Sequence, residues 1–163
     1  MAKGPDGFAY AVTGRDGECE ILKFNPADET HQLIKIMRAA VSLLRNDVVV
    51  ITETNVPHRE NVAYFGDGHD EAHMVYNFAL PPLVWHAIQM GDARALTGWA
   101  AGLSLPSDQV TFFNFLASHD GVGLNPARGI LPETEIAKLV CQALEHGGLV
   151  SNKTNPDGTE SPY

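Results

Sequence analysis

Cysteine is nearly absent. Only Cys19 and Cys141 occur, far apart and in no CxxC pair, which excludes a disulfide framework and a zinc ribbon. Positive charge is scarce as well. Eleven Lys and Arg stand against 20 Asp and Glu, for a net charge of −9, and no basic run interrupts the excess. A nucleic-acid partner is therefore not expected, and the acidity reads mainly as solubility. No apolar run approaches the roughly 20 residues of a membrane span. Residues 1–8 carry no apolar stretch of the kind a signal peptide needs, so a cytoplasmic protein is expected. The triplet Asn152-Lys153-Thr154 matches a glycosylation acceptor, but without secretion the match is chance.

What is present is a regular alternation of elements. Residues 1–29 are an irregular N-terminal segment punctuated by glycine, with two strand-like pieces at 8–13 and 19–24 and a turn at Arg15-Asp16-Gly17, the pattern of a hairpin. Over 31–45, Leu33, Met37, Ala40, Val41 and Leu44 recur at helical spacing and predict a buried stripe. Val48-Val49-Val50-Ile51 then reads as a strand buried on both faces, as in a parallel sheet. A polar loop follows over 64–73. Residues 74–80 predict a second strand closed by Pro81-Pro82, residues 83–89 and 93–101 two helices, and residues 111–116 a third strand. The clearest helix starts near Pro132, buries Ile136, Leu139, Val140, Ala143 and Leu144, and ends at Gly147-Gly148. Helices alternating with buried strands predict an α/β fold with a parallel sheet.

Two of these strands run into carboxylates, the first into Glu53 and the third into His119-Asp120. Ligands in such folds bind beyond the carboxyl ends of strands. Paired carboxylates suit glycosidic chemistry, where one holds a proton for the leaving oxygen and another stays ionised against a cationic sugar. Spacing alone leaves a second reading open, that both are ordinary polar strand ends. His69-Asp70-Glu71-Ala72-His73 has two histidines four apart, but Glu71 stands in the wrong place for a zincin, so a loop is expected rather than a metal site. Gly121-Val122-Gly123 lacks the third glycine of a dinucleotide fingerprint. Cys141 reads as a core-side residue, and Trp85 and Trp99 as packing residues that could line a cleft.

Three ordered blocks carry a resemblance. Ile51-Thr52-Glu53-Thr54-Asn55-Val56-Pro57-His58 with Glu60-Asn61 and Tyr64-Phe65-Gly66 resembles the fifth-strand region of the sucrose phosphorylase branch of the α-amylase superfamily, glycoside hydrolase family 13. Residues 74–83 resemble its sixth strand. Residues 112–121, continuing into Asn125-Pro126-Ala127-Arg128-Gly129, resemble its seventh, and Asn155-Pro156-Asp157-Gly158 also resembles this branch. The asparagine two residues after Glu53, where sucrose phosphorylases tend to carry histidine, points to the glucosylglycerate or glucosylglycerol phosphorylase type.

The resemblance implies a (β/α)8 TIM barrel, of which residues 30–163 supply about strands 5–7, because a complete barrel takes about 250 residues. It implies a retaining glycosyltransferase that moves an α-glucosyl group between a small glucoside and inorganic phosphate, without metal or organic cofactor. Glu53 takes the place of the general acid/base and Asp120 that of the transition-state stabiliser. His119 and Asn55 become substrate-binding residues. Arg128 is a candidate for a bidentate phosphate contact on chemical grounds. The family's nucleophile, an aspartate within an Arg-x-Asp-Ala block on the fourth strand, has no counterpart here, since Arg15-Asp16-Gly17 does not qualify. A retaining reaction needs that nucleophile, so a fragment of a phosphorylase is expected. The alternatives are a non-catalytic truncated barrel with a binding or assembly role, or an α-glucoside hydrolase of the same superfamily. Open barrel edges predict self-association.

Overall fold

The computed structural model describes residues 2–3, 9–15, 18–24, 29–45, 47–155 and 157–163. The described residues form a mixed helix and strand α/β structure that divides into two compact units.

The first unit comprises Met1–Thr52, Ala63–Val75 and Leu105–Thr111. It opens with a three-stranded antiparallel sheet of β1 (Ala2–Lys3), β2 (Ala9–Arg15) and β3 (Glu18–Phe24) in sequential order. Ala9 pairs with Phe24 and Arg15 with Glu18, while Phe8 and the expected turn residues Asp16 and Gly17 lie outside the described residues. Helix α1 (Glu29–Leu44) follows. Its apolar stripe is not buried as expected. Leu33 is 55% exposed, Met37 57% and Leu44 81%. The buried side of α1 is instead polar. The Arg38 guanidinium Nη1 donates to the Glu71 carbonyl (3.1 Å), Lys35 pairs with Asp70 (2.5 Å), and His31 meets Glu71 (2.6 Å) while stacking on Tyr64 (4.5 Å between ring centroids). Glu71 is almost fully buried, and a carboxylate taken that far from water requires such partners. The acids of the 69–73 segment thus serve to tie the loop to α1. His73 accepts from the Val50 backbone N–H through Nδ1 (2.9 Å).

Strand β4 (Ile51–Thr52) is shorter than the apolar run predicts and is not buried on both faces. Val48, Val49 and Ile51 are exposed, and β4 is an edge strand. A β-branched run reads the same whether or not a neighbour covers it, so the sequence could not tell an edge from a centre. The sheet order is β4, β5 (Met74–Tyr76), β6 (Thr111–Phe113). Strand β4 runs parallel to β5, with Ile51 opposite Met74 and Thr52 opposite Val75. Strand β6 is also parallel to β5. Thr111 N–H donates to the His73 carbonyl, and two residues on the Phe113 carbonyl accepts from Asn77 N–H.

The second unit comprises Glu53–Val62, Tyr76–Ser104 and Phe112–Tyr163. It holds α2 (His58–Val62), α3 (Leu80–Met90), α4 (Arg94–Ala101), α5 (Glu133–Glu145) and a hairpin of β7 (Asn152–Thr154) and β8 (Glu160–Pro162). Pro81 and Pro82 do not close a strand. They form the first turn of α3, where a missing N–H would be unpaired in any case. Gly91 ends α3 in the left-handed conformation (φ 62°). The core joins Ala79 and Leu83 to Leu124, Ala127, Leu131, Ile136 and Leu139, with Trp85, Leu96, Trp99 and Val140 packed around it. His86 of α3 meets Glu135 of α5 at 3.2 Å. Cys141 is exposed, contrary to the core-side expectation. At 100° per residue it falls on the far side of α5 from Ile136 and Leu139.

His58 stands half-buried against Trp99 (5.5 Å, edge to face), and its Nδ1 has no partner. Burial lowers its pKa below the ordinary 6.5. His73 is lowered too, first by burial and then by Arg38. An unfolded chain therefore binds more protons than the folded one between the folded and ordinary values, and stability falls as pH drops through about 6.5. The melting temperature is expected to decline from about pH 7.5 to about 5.5, and His58→Phe to flatten that decline. A melting series at fixed salt across this range checks it.

Candidate functional site

The carboxyl end of the parallel ladder leads into the candidate residues. Strand β4 stops at Thr52, and the next residue is Glu53, whose side chain is exposed. Beyond β6 the chain passes through Ser118-His119-Asp120 into a turn. There Gly121 N–H returns to the Ser118 carbonyl (3.2 Å) and Asp120 N–H meets Ser118 Oγ (3.2 Å). Gly121 has φ 82°, a conformation that favours glycine.

Glu53, Asn55 and Asp120 line one cavity of about 890 Å³. Its polar side is completed by Ser118 and Ser151, and its apolar side by Phe78, Trp85, Val140 and Tyr163. The volume falls within the range of small-molecule sites. Among the described lining residues are two carboxylates and no cation, a field that favours a ligand that develops positive charge.

Asn55 Oδ1 is buried without a partner. A Cβ on Gly123 would stand 2.5 Å from Asn55 Nδ2. Gly123 has no side chain because the Asn55 amide occupies that space.

The other two expected site residues lie elsewhere. His119 is highly exposed and reaches Asp120 Oδ2 from Nε2 at 3.4 Å, but does not line the cavity. Arg128 is committed to other partners. Its Nη1 pairs with Glu133 and its Nη2 donates to the Pro162 carbonyl (3.1 Å). Sequence reasoning missed Phe78, Ser118, Gly123 and Tyr163 as lining residues. Phe78 belongs to an aromatic cluster, with Tyr76 stacked on Phe113 (4.7 Å) and Phe115 edge-on to Phe78 (5.3 Å). The i, i+2 spacing of Tyr76 with Phe78 and of Phe113 with Phe115 was a readable signal for one shared face.

No family model matches the chain. Among curated proteins, the chain is similar to a sucrose phosphorylase of Agrobacterium vitis, 28% identical over 141 residues, 86% of this chain and 25% of that protein. The resemblance to the sucrose phosphorylase branch is thus borne out. Within it the chain is far more similar to glucosylglycerate phosphorylases. It is 58% identical over 136 residues to that of Escherichia coli (strain K12), covering 83% of this chain and 24% of the relative. It is 60% identical over 128 residues to that of Allomeiothermus silvanus, covering 78% and 23%. The chain spans about a quarter of the length of the curated relatives it matches. Among the described residues, no helix is long and apolar enough to cross a membrane.

Proposed function

We propose that this chain carries the acid/base and stabilising part of a retaining α-glucoside phosphorylase acting on glucosylglycerate and phosphate. The observation that carries the reading is the shared cavity: Glu53 and Asp120, far apart in sequence, face one space. In this reading Glu53 protonates the leaving oxygen and then guides the incoming phosphate, while Asp120 stays ionised against the oxocarbenium-like ring. Asn55, which lines the cavity, meets the leaving glycerate, and His119 turns with Asp120 toward the glucose hydroxyls. Arg128 meets phosphate by exchanging the Glu133 carboxylate for it, since the guanidinium fork fits either. The nucleophile belongs to chain outside the matched segment.

The same reading makes β4, β5 and β6 three consecutive strands of a (β/α)8 barrel. Their parallel order follows the sequence, with helices between. The open apolar groups of α1 and β4 suit packing against further elements of such a barrel, and in isolation favour self-association. The setting is the cytoplasm, and no metal or organic cofactor takes part.

Segment exchange tests the reading. The 136 matched residues of the Escherichia coli relative are replaced by those of this chain. The hybrid is expected to release glucose 1-phosphate from glucosylglycerate only when phosphate is present. A folded hybrid without that activity, or one that releases free glucose at the same rate without phosphate, contradicts it.

A further inference from the structure

Glu53 has no hydrogen-bond or ion-pair partner among the described residues, so its place depends on the backbone that carries it. That backbone lies just beyond the ladder, whose last β4–β5 pair is Thr52 with Val75. The following rung is supplied by a side chain. Asn61 is fully buried, with no accessible surface. Its Nδ2 donates to the Tyr76 carbonyl (2.8 Å), and its Oδ1 accepts from Thr54 Oγ1 (2.8 Å). The Tyr76 carbonyl can only accept, which fixes the amide's orientation and makes Thr54 the donor. The same carbonyl also accepts from Phe78 N–H (2.9 Å), filling both its lone pairs.

Helix α2, which presents Asn61, has only five residues. That is too short to persist on helix propensity alone. It is started by the Pro57 carbonyl, which accepts from Glu60 and Asn61 N–H (2.9 and 3.0 Å). Its one buried residue in the helix proper is Asn61. Thr54 is bonded to Asn61, while its two chain neighbours Glu53 and Asn55 line the cavity.

We infer that Asn61 is the positioning residue of Glu53, acting through the Thr54 hydroxyl to hold residues 53–55 at the end of β5. The catalytic part of this inference rests on the reading of Glu53 as proton donor; the positional part does not. A second buried asparagine does the equivalent on the other side of β5. Asn77 Nδ2 donates to Asn114 Oδ1 (2.8 Å), just past the end of β6.

The test uses this chain and three variants. Thr54→Val removes the donor hydroxyl at nearly constant shape, Thr54→Ser keeps it, and Asn61→Asp turns an acceptor toward the Tyr76 carbonyl. Backbone order parameters for residues 53–55 are expected to fall from about 0.85 to below about 0.6 in Thr54→Val and Asn61→Asp, and to stay high in Thr54→Ser. Unchanged values in the first two overturn the inference. In the segment-exchanged phosphorylase, Thr54→Val is expected to lower kcat about 10²-fold with KM within about 2-fold. A merely structural Asn61 would lower the melting temperature and leave kcat per folded molecule unchanged, which overturns the catalytic part. An inactive parent hybrid counts against the proposed function alone, and the order parameters then decide the positioning.

Discussion

Glu53→Gln in the segment-exchanged phosphorylase is expected to lower kcat/KM for glucosylglycerate by about 10²–10⁴-fold, the usual contribution of a positioned acid/base. The substitution is nearly isosteric, and Glu53 is an exposed residue just past β4, so folding is not at stake. The amide can still meet substrate hydroxyls. It can neither protonate the leaving glycerate oxygen nor take the proton from incoming phosphate, so both half-reactions slow. Steady-state kinetics with glucosylglycerate and phosphate measure the loss. A drop of less than about 10-fold would leave Glu53 as an ordinary strand end.

The second large effect concerns stability. Leu139→Ala is expected to destabilise the fold by about 2–5 kcal/mol, because Leu139 is fully buried in the cluster with Leu83, Leu131 and Ile136 and its removal leaves a cavity. For a chain of this size that lowers the melting temperature by on the order of 10 °C. Leu144→Ala, five residues along the same helix, is expected to change stability by less than about 0.5 kcal/mol, since Leu144 is 56% exposed. Denaturant melts of both variants separate the two leucines. Val140 and Ala143 of this helix line the cavity, so Leu139 also supports one of its walls.

These two leucines show how far the sequence could be read. Helix α5 was legible because Pro132, the acidic first turn and a glycine stop act locally, within a few residues of where they are seen. Which members of its stripe are covered depends on neighbours distant in sequence. The 3.6-residue period therefore located Ile136 and Leu139 correctly but not Leu144. The same limit applies to α1 and β4, whose apolar groups look like core in any one-dimensional reading and are open here. That Glu53 and Asp120 line one cavity was legible because a strand end is a defined address for a ligand. Asn61 was not, because a buried amide bonded to a hydroxyl seven residues back and a carbonyl 15 residues ahead has no signature in spacing. Arg128 stood in the right block, yet its partners Glu133 and Pro162 could be seen only in three dimensions.

The role of Glu53 as proton donor to a leaving group is tested most directly by changing the leaving group. Fluoride departs from α-glucosyl fluoride without needing a proton. First-turnover release of fluoride by the Glu53→Gln hybrid is therefore expected to run within about 10-fold of the rate of the unsubstituted hybrid, while first-turnover cleavage of glucosylglycerate remains about 10²–10⁴-fold slower. An equally large loss on both donors would contradict that role.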